Sequence, residues 1–336
     1  MVPLELFAAL PAGPGGWENF LQYSVQGLLF GALFALIALG YTMVYGIVEL
    51  INFAHGDLFM LGTFMGLTVL SVLGLSVTTS ADASAALTAL AVALMLLIVP
   101  VFCAGLNWTV DRVVYKPLRA APRLAPLVSA IGVSFVFMNV GLFWNGAIYE
   151  DGRPVPAASP RAFPDLIPTK NLVSEDSGFR FTTKDVMIVA VTVPIMVGLT
   201  LFVKRTNLGK AMRATAQNPT AARLMGINVD SVIGATFLIG GALGGVGSVM
   251  YALYINTTSY QAGFQMGLYA FTAAVLGGIG NIPGAVLGGL VIGLVRSLGS
   301  VYVGETWNSA LVFAILILIL VFRPSGLLGA RTREKV

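Results

Sequence analysis

KRTNLGKAMRATAQNPTAARLMGINVD, residues 204–230, is a polar, basic stretch set between two long apolar runs. Asn218-Pro219 places an N-cap residue beside a proline at the first helical position. Thr220 to Met225 then has room for about two turns before Gly226, at the position where glycine most often ends a helix. Upstream, Gly209 to Gln217 is also helix-compatible. Lys210, Arg213 and Gln217 share one face at i, i+3 and i+7, while Ala211, Ala214 and Ala216 keep the remainder slim. A slim, basic surface helix between membrane spans suits docking into a groove of another protein. The plainer reading is a loop left on the cytoplasmic side because it is cationic.

Outward from this loop the chain is dominated by apolar runs. Of 336 residues, 57% are hydrophobic and 10% charged, and the mean hydropathy is +0.87. Soluble domains carry about a quarter charged residues, so this is an all-α polytopic membrane protein. Spans of about 20 residues fit near 21–45, 58–77, 86–106, 125–146, 186–203, 232–255, 266–280, 284–303 and 309–322. That gives eight to nine transmembrane helices, depending on whether one segment is broken or re-entrant. The first basic residue is Arg112. Basic residues gather at 112–123, 204–223 and 323–335, which marks these segments as cytoplasmic. Positive charge divided among membrane loops argues against nucleic acid as a partner; the lipid bilayer is what the spans meet. Residues 1–20 form an N-terminal tail with no basic n-region, 21–323 a transmembrane domain, and 324–336 a cytoplasmic tail. Within the domain, 147–185 holds Pro154, Pro156, Pro160, Pro164 and Pro168 among charges of both signs. It is an external loop, placed to meet an external partner or simply a surface insertion.

Two stretches within the apolar runs carry unusual residues. Residues 41–57 bring the only histidine, His55, together with Asn52 and Asp57 at the end of a span. Ionisable groups in a membrane are functional candidates, so these three are assigned to a translocation pathway or gate; the structural alternative is that Asn52 or Asp57 caps a helix start. Residues 277–284, GGIGNIPG, concentrate helix breakers. A break at membrane depth survives only when buried in protein or lining a cavity, which adds Gly278, Gly280 and Asn281 to the pathway candidates. Small-xxx-small pairs at Gly27/Gly31, Gly62/Gly66, Gly241/Gly245, Gly284/Gly288 and Gly289/Gly293 predict close helix packing.

Several chemistries are excluded. Gly209-Lys210 is followed by Ala211 and lacks the first glycine of a P-loop, so the chain does not bind ATP in that way. HExxH and G-x-S-x-G are absent, and a lone Cys103 with one His cannot build a zinc site. No catalytic set, metal site or cofactor is expected in the chain, and no span shows a charged clamp for a carboxylate.

Three ordered motifs, ALIALGYTMVYGIVELINFAHGDLFMLG (35–62), GKAMRATAQNPTAARLMGINVD (209–230) and FTAAVLGGIGNIPGAVLGGLVIGL (271–294), closed by R-P-x-G-L-x-G at 323–329, resemble the permease subunits of branched-chain amino acid ABC importers. The resemblance implies a multi-pass subunit of the bacterial inner membrane that pairs with a second, related permease. It also implies two cytoplasmic ATP-binding subunits, which hold the Mg-ATP, and an external or periplasmic solute-binding protein. Residues 204–231 correspond to that family's coupling region, with Gly209, Arg213, Ala214, Gln217, Asn218, Ala221, Gly226 and Asn228 carried over as coupling residues. Leucine, isoleucine and valine, or related small amino acids or amides, are the solutes it implies. The competing class is a stand-alone secondary transporter or channel for a small polar solute, built around Asn52, His55 and Asp57.

Overall fold

The computed structural model describes residues 16–80, 83–119, 121–122, 124–147, 149–150, 153–154, 156–173, 179–323 and 325–329. Residues 1–15 of the tail expected at 1–20, residues 324 and 330–336 of the tail expected at 324–336, and part of the expected external loop lie outside the described residues. The helices are α1 Gly16–Val48, α2 Ala54–Val72, α3 Ala85–Val110, α4 Leu124–Ala147 and α5 Thr183–Arg205, then α6 Asn207–Gln217 and α7 Pro219–Leu224. They continue as α8 Val229–Ile255, α9 Ala262–Gly277, α10 Ile282–Tyr302 and α11 Asn308–Phe322. Among the described residues eight are long and apolar enough to cross a membrane, α3 being counted with its extension to Leu118 and α11 with the turn at Glu305–Trp307, and α9 is a shorter apolar helix. With the basic side taken as cytoplasmic, α9 completes the alternation between α8 and α10.

The bundle is built in two shells. α1, α2 and α8 are its centre, buried over 94%, 72% and 72% of their apolar windows, and α3, α4, α5 and α11 form a rim buried over 17–28%. Glycine sets the spacing. Gly27 and Gly31 on α1 meet Gly289 and Gly293 on α10, and Gly241 and Gly245 on α8 meet Cys103 and Pro100 on α3. These are contacts of backbone with backbone, as small-xxx-small pairs require. Gly284 and Gly288 instead hold α10 against Gly277 and Ala273 of α9, so the break is a tight turn inside one helical hairpin.

Two boundaries differ from the sequence expectation. The first helix already runs at Gly16, with Glu18 in its first turn, so 16–20 belong to it and not to the tail. α3 does not stop near 106. It passes through a π-helical turn at Asp111–Tyr115 into Lys116–Leu118, because its polar residues find partners within the protein: Arg119 pairs with the fully buried Asp111 at 2.6 Å and also with Asp230 in the first turn of α8.

The described residues of the segment 147–185 fold onto the bundle. β1 Tyr149–Glu150 pairs with β2 Arg153–Pro154, and β3 Arg161–Ala162 pairs with β4 Thr257–Thr258 after α8. Phe163 and Leu166 are buried against α2 and α3, and Lys184 joins Asp165 (2.8 Å) to Asn256 (2.7 Å). Gln22 of α1 holds the Arg180 backbone through both ends of its amide, at 3.0 and 2.7 Å.

Candidate translocation and coupling sites

The turn between α1 and α2 lies inside the bundle. α1 reaches the cytoplasmic edge near Gly46, where a Cβ would stand 3.1 Å from Gly280 Cα in the α9–α10 turn. Glu49 then takes a left-handed φ of 54° and the chain turns back. α2 starts at the depth of Gly40 and Gly244, between which His55 is wedged. Gly40 lies about 12 Å along α1 from its end at 1.5 Å per residue. Non-helical backbone at this depth needs protein partners, and Asn107 of α3 supplies one. Its Nδ2 donates to Phe237 O (2.7 Å) while its Oδ1 accepts from Asn52 Nδ2 (3.1 Å), and Tyr115 Oη donates to Ile51 O at 3.3 Å.

The candidate pathway residues therefore divide. Asn52, His55 and Asp57 are all 3% exposed or less. Neither Asn52 nor Asp57 caps α2, whose N-cap is Phe53 with no side-chain bond. Both side chains instead reach across the bundle: Asn52 Nδ2 donates to Asn107, while its Oδ1, the atom a cap would use, accepts nothing, and Asp57 accepts from Ser134 of α4. His55 stands edge-on to Tyr41 with ring centroids 4.8 Å apart; neither ring nitrogen makes a well-formed hydrogen bond, and the Ile37 backbone lies opposite. Gly278 and Asn281 lie away from this cluster. Leu327 N and Leu328 N donate to Leu276 O and Gly277 O at 2.8 and 3.1 Å, and Asn281 Nδ2 donates to Leu328 O at 2.6 Å. The helix break is thus a seat for the C-terminal R-P-x-G-L-x-G turn. Gly280, beside Gly46, instead follows Ile279, which lines a small cleft with Tyr41, Tyr45, Ile51, Phe271 and Ala274.

Asn107 was invisible as a site residue because it sits at the end of an apolar run. Asn107→Leu keeps the branched outline at a larger volume and strips Asn52 Nδ2 and Phe237 O of this partner. An orphaned group costs about 1–3 kcal/mol, so the variant is expected to unfold several degrees earlier in a thermal scan in detergent. An unchanged midpoint would show that the bridge does not hold the turn.

The coupling candidates form a capped helical hairpin. Thr206 Oγ1 accepts from Gly209 N (3.0 Å) to start α6, Asn218 Oδ1 accepts from Ala221 N (3.0 Å) to start α7, and Asn228 Oδ1 accepts from Ser231 N (3.1 Å) to start α8. Gly226, at φ 83°, ends α7 in a Schellman turn: its N–H donates to Arg223 O and that of Ile227 to Ala222 O, both at 3.0 Å. Gly209 is buried against Val203 of α5, so it fixes the hairpin and presents no surface. Arg213, Gln217, Asn218 and Ala221 are exposed, Ala214 half-buried. Arg213 Nη2 reaches back to Lys204 O at 3.3 Å. The sequence reading missed Leu224 and Met225, 84% and 83% exposed on this otherwise polar hairpin. Their signal was present, two large apolar residues just before the terminating glycine. Arg119 locks the exit of the hairpin to α3 through Asp230.

Comparison with known proteins agrees with this architecture. The family model described as branched-chain amino acid transport system / permease component matches residues 23–321. The high-affinity branched-chain amino acid transport system permease protein BraD of Pseudomonas aeruginosa is 39% identical over 323 residues, 95% of this chain and 98% of its own. LivH of Escherichia coli K12 is 38% identical over 322 residues, 94% and 98% of the two chains. A probable LivH of Methanocaldococcus jannaschii is 26% identical, covering 90% of each. With the match running through the central helices, the hairpin and the α9–α10 turn alike, the chain belongs to the family of branched-chain amino acid transport system permease components.

Proposed function

We propose that this chain is one half of the translocation pathway of an ATP-driven importer for branched-chain amino acids, moved by cytoplasmic ATP-binding subunits that grip α6 and α7. The observation that carries this reading is the hairpin itself. It is rigidly capped at each start, tied to α3 and α5, and it presents Leu224, Met225 and a basic face to the cytoplasmic side. Exposed apolar side chains on a rigid mount are a docking surface with little ordering cost. The mount leads directly into α8, at the centre of the bundle, and α5 leads into it, so a displacement of the hairpin moves both. ATP-driven closure of the gripping subunits shifts the equilibrium between outward- and inward-facing states only through contacts that differ between them. A second, related permease completes the pathway and an external solute-binding protein delivers the amino acid. ATP and magnesium belong to the partner subunits.

Asn52, His55 and Asp57, at the start of α2, sense that displacement in this reading: Asn52 reaches α3, Asp57 reaches α4, and His55 lies between α1 and α8. A stand-alone secondary transporter would use the same three residues and need no hairpin partner. The two readings separate on purification of the tagged chain from its own membrane in mild detergent, followed by mass spectrometry and an ATPase assay. The importer reading expects P-loop subunits and a second permease to co-purify, and expects Arg213→Glu to release the P-loop subunits while the chain still inserts. A chain that purifies alone and transports after reconstitution overturns it.

A further inference from the structure

α10 carries one charge that the pathway described so far does not use. Arg296 lies about 21 Å along the helix from Ile282, in the outer half of the bundle, and is 4% exposed. Its Cζ stands 4.8 Å from the ring centroid of Phe30, 5.7 Å from Phe34 and 5.4 Å from Tyr269. Phe30 is in turn edge-on to Tyr254, and Phe34 tilted against Tyr269, each at 5.5 Å. The cage is therefore contributed by α1, α8 and α9 around a side chain from α10.

Aromatic faces attract a guanidinium but accept none of its in-plane N–H bonds. Nε and Nη1 of Arg296 are both buried without a hydrogen-bond partner, and among the described residues no carboxylate pairs with it. Lys184 and Arg119, by contrast, pair with carboxylates, the one holding Asp165 and the other Asp111 and Asp230. One turn before Phe30 on α1, Gln26 also carries a buried, unpartnered oxygen, Oε1. A cation that is always protonated, desolvated and without a counter-ion lacks two acceptors in one plane, which a carboxylate provides.

We infer that Arg296 binds the carboxylate of the transported solute, with Phe30, Phe34 and Tyr269 receiving its apolar part. This rests on the reading of the chain as an amino acid permease and adds the residue that recognises the solute. In the present conformation the rings cover the site. Tyr269, 1% exposed, is held by core packing more than by polar ties, since its Oη is 3.3 Å from both Gln265 Nε2 and Ser309 Oγ, at the long end for such bonds. Entry of a solute moves Tyr269 aside and exchanges ring faces for a charge-assisted pair.

The test uses the complex purified with its partner subunits. Thermal unfolding is followed with L-leucine, isovalerate, L-leucinamide or L-leucinol added at matched ionic strength. Leucine and isovalerate, which carry the carboxylate, are expected to raise the midpoint; the amide and the alcohol are not. Arg296→Met, which fills the cage with an apolar chain, is expected to abolish the shift and lower leucine uptake at least ~30-fold, as loss of a buried charge partner does. Arg296→Lys keeps the charge and is expected to retain part of both, so it serves if the methionine variant fails to fold. The inference is overturned if leucinamide protects as well as leucine, if no carboxylate protects the wild type, or if Arg296→Met transports leucine normally. Co-purified ATPase activity without carboxylate protection would sink the site and leave the importer standing. Carboxylate protection of a chain that purifies alone would do the reverse.

Discussion

Uptake through a chain carrying Leu224→Asp and Met225→Asp is expected to fall to background, with membrane insertion and thermal midpoint unchanged. Both side chains are more than four-fifths exposed in the isolated chain, so folding does not depend on them. Their contribution appears only on assembly. Burying a leucine or methionine side chain stabilises a contact by about 1.5–3 kcal/mol, and a tenfold change in affinity needs about 1.4 kcal/mol. Removing either one therefore weakens the grip of an ATP-binding subunit by roughly ten- to a hundred-fold, and a carboxylate left against an apolar groove adds its own desolvation cost. Leu224→Met, which conserves apolar volume, is expected to transport normally. The readouts are initial uptake rate and the amount of ATP-binding subunit retained on the purified chain. Normal uptake by the double aspartate variant would remove the hairpin from the coupling mechanism, however well capped it is.

The hairpin shows what the sequence could reveal and what it could not. Asn218-Pro219 and Gly226 are local signals, because an N-cap, a proline at the first position and a left-handed terminator act within one turn of the backbone. The helix they predict is the helix observed. The break at 277–284 was legible for the same reason, but its use was not: that Gly278 and Asn281 meet residues 325–329 is a long-range fact no local signal encodes. Asn52 was marked as unusual by its neighbours, whereas its partner Asn107 lies in another span and carries no mark. Arg296 was passed over because one cation in a 21-residue helix leaves the helix apolar on average. Its meaning comes from three rings brought by α1 and α9. Exposure of Leu224 and Met225 could have been argued from polarity, since they are the large apolar exceptions on a surface helix too short to bury them.

The glycines divide just as sharply, and here the expected effect on stability is large. A Cβ on Gly293 would collide with the backbone of α1 at Gly27 and Gly31, and one on Gly31 would stand 2.6 Å from Leu290 Cα and 2.8 Å from Gly289 O. On Gly289 it would lie 2.7 Å from Ala35 N. In each case the obstacle is backbone on a facing helix, with no flexible side chain to yield, so the helices themselves must separate. Lipid offers no hydrophobic gain for separated helices; what is lost is the packing and the close backbone approach that hold them together. Gly293→Val is thus expected to cost more than the about 1–3 kcal/mol typical of overpacking with side chains. It should appear as early thermal unfolding and loss of monodispersity in detergent. Gly198 on α5 is the control. It is also a glycine in an apolar helix, yet nothing lies within 4 Å of its Cβ position, and Gly198→Val is expected to be tolerated. Equal midpoints for the two variants would show that α1 and α10 are not packed through Gly293. A large loss at Gly293 alone would place the α1–α10 contact at the foundation of the bundle, and with it the cage around Arg296, since α1 supplies Phe30 and Phe34 and α10 the arginine itself.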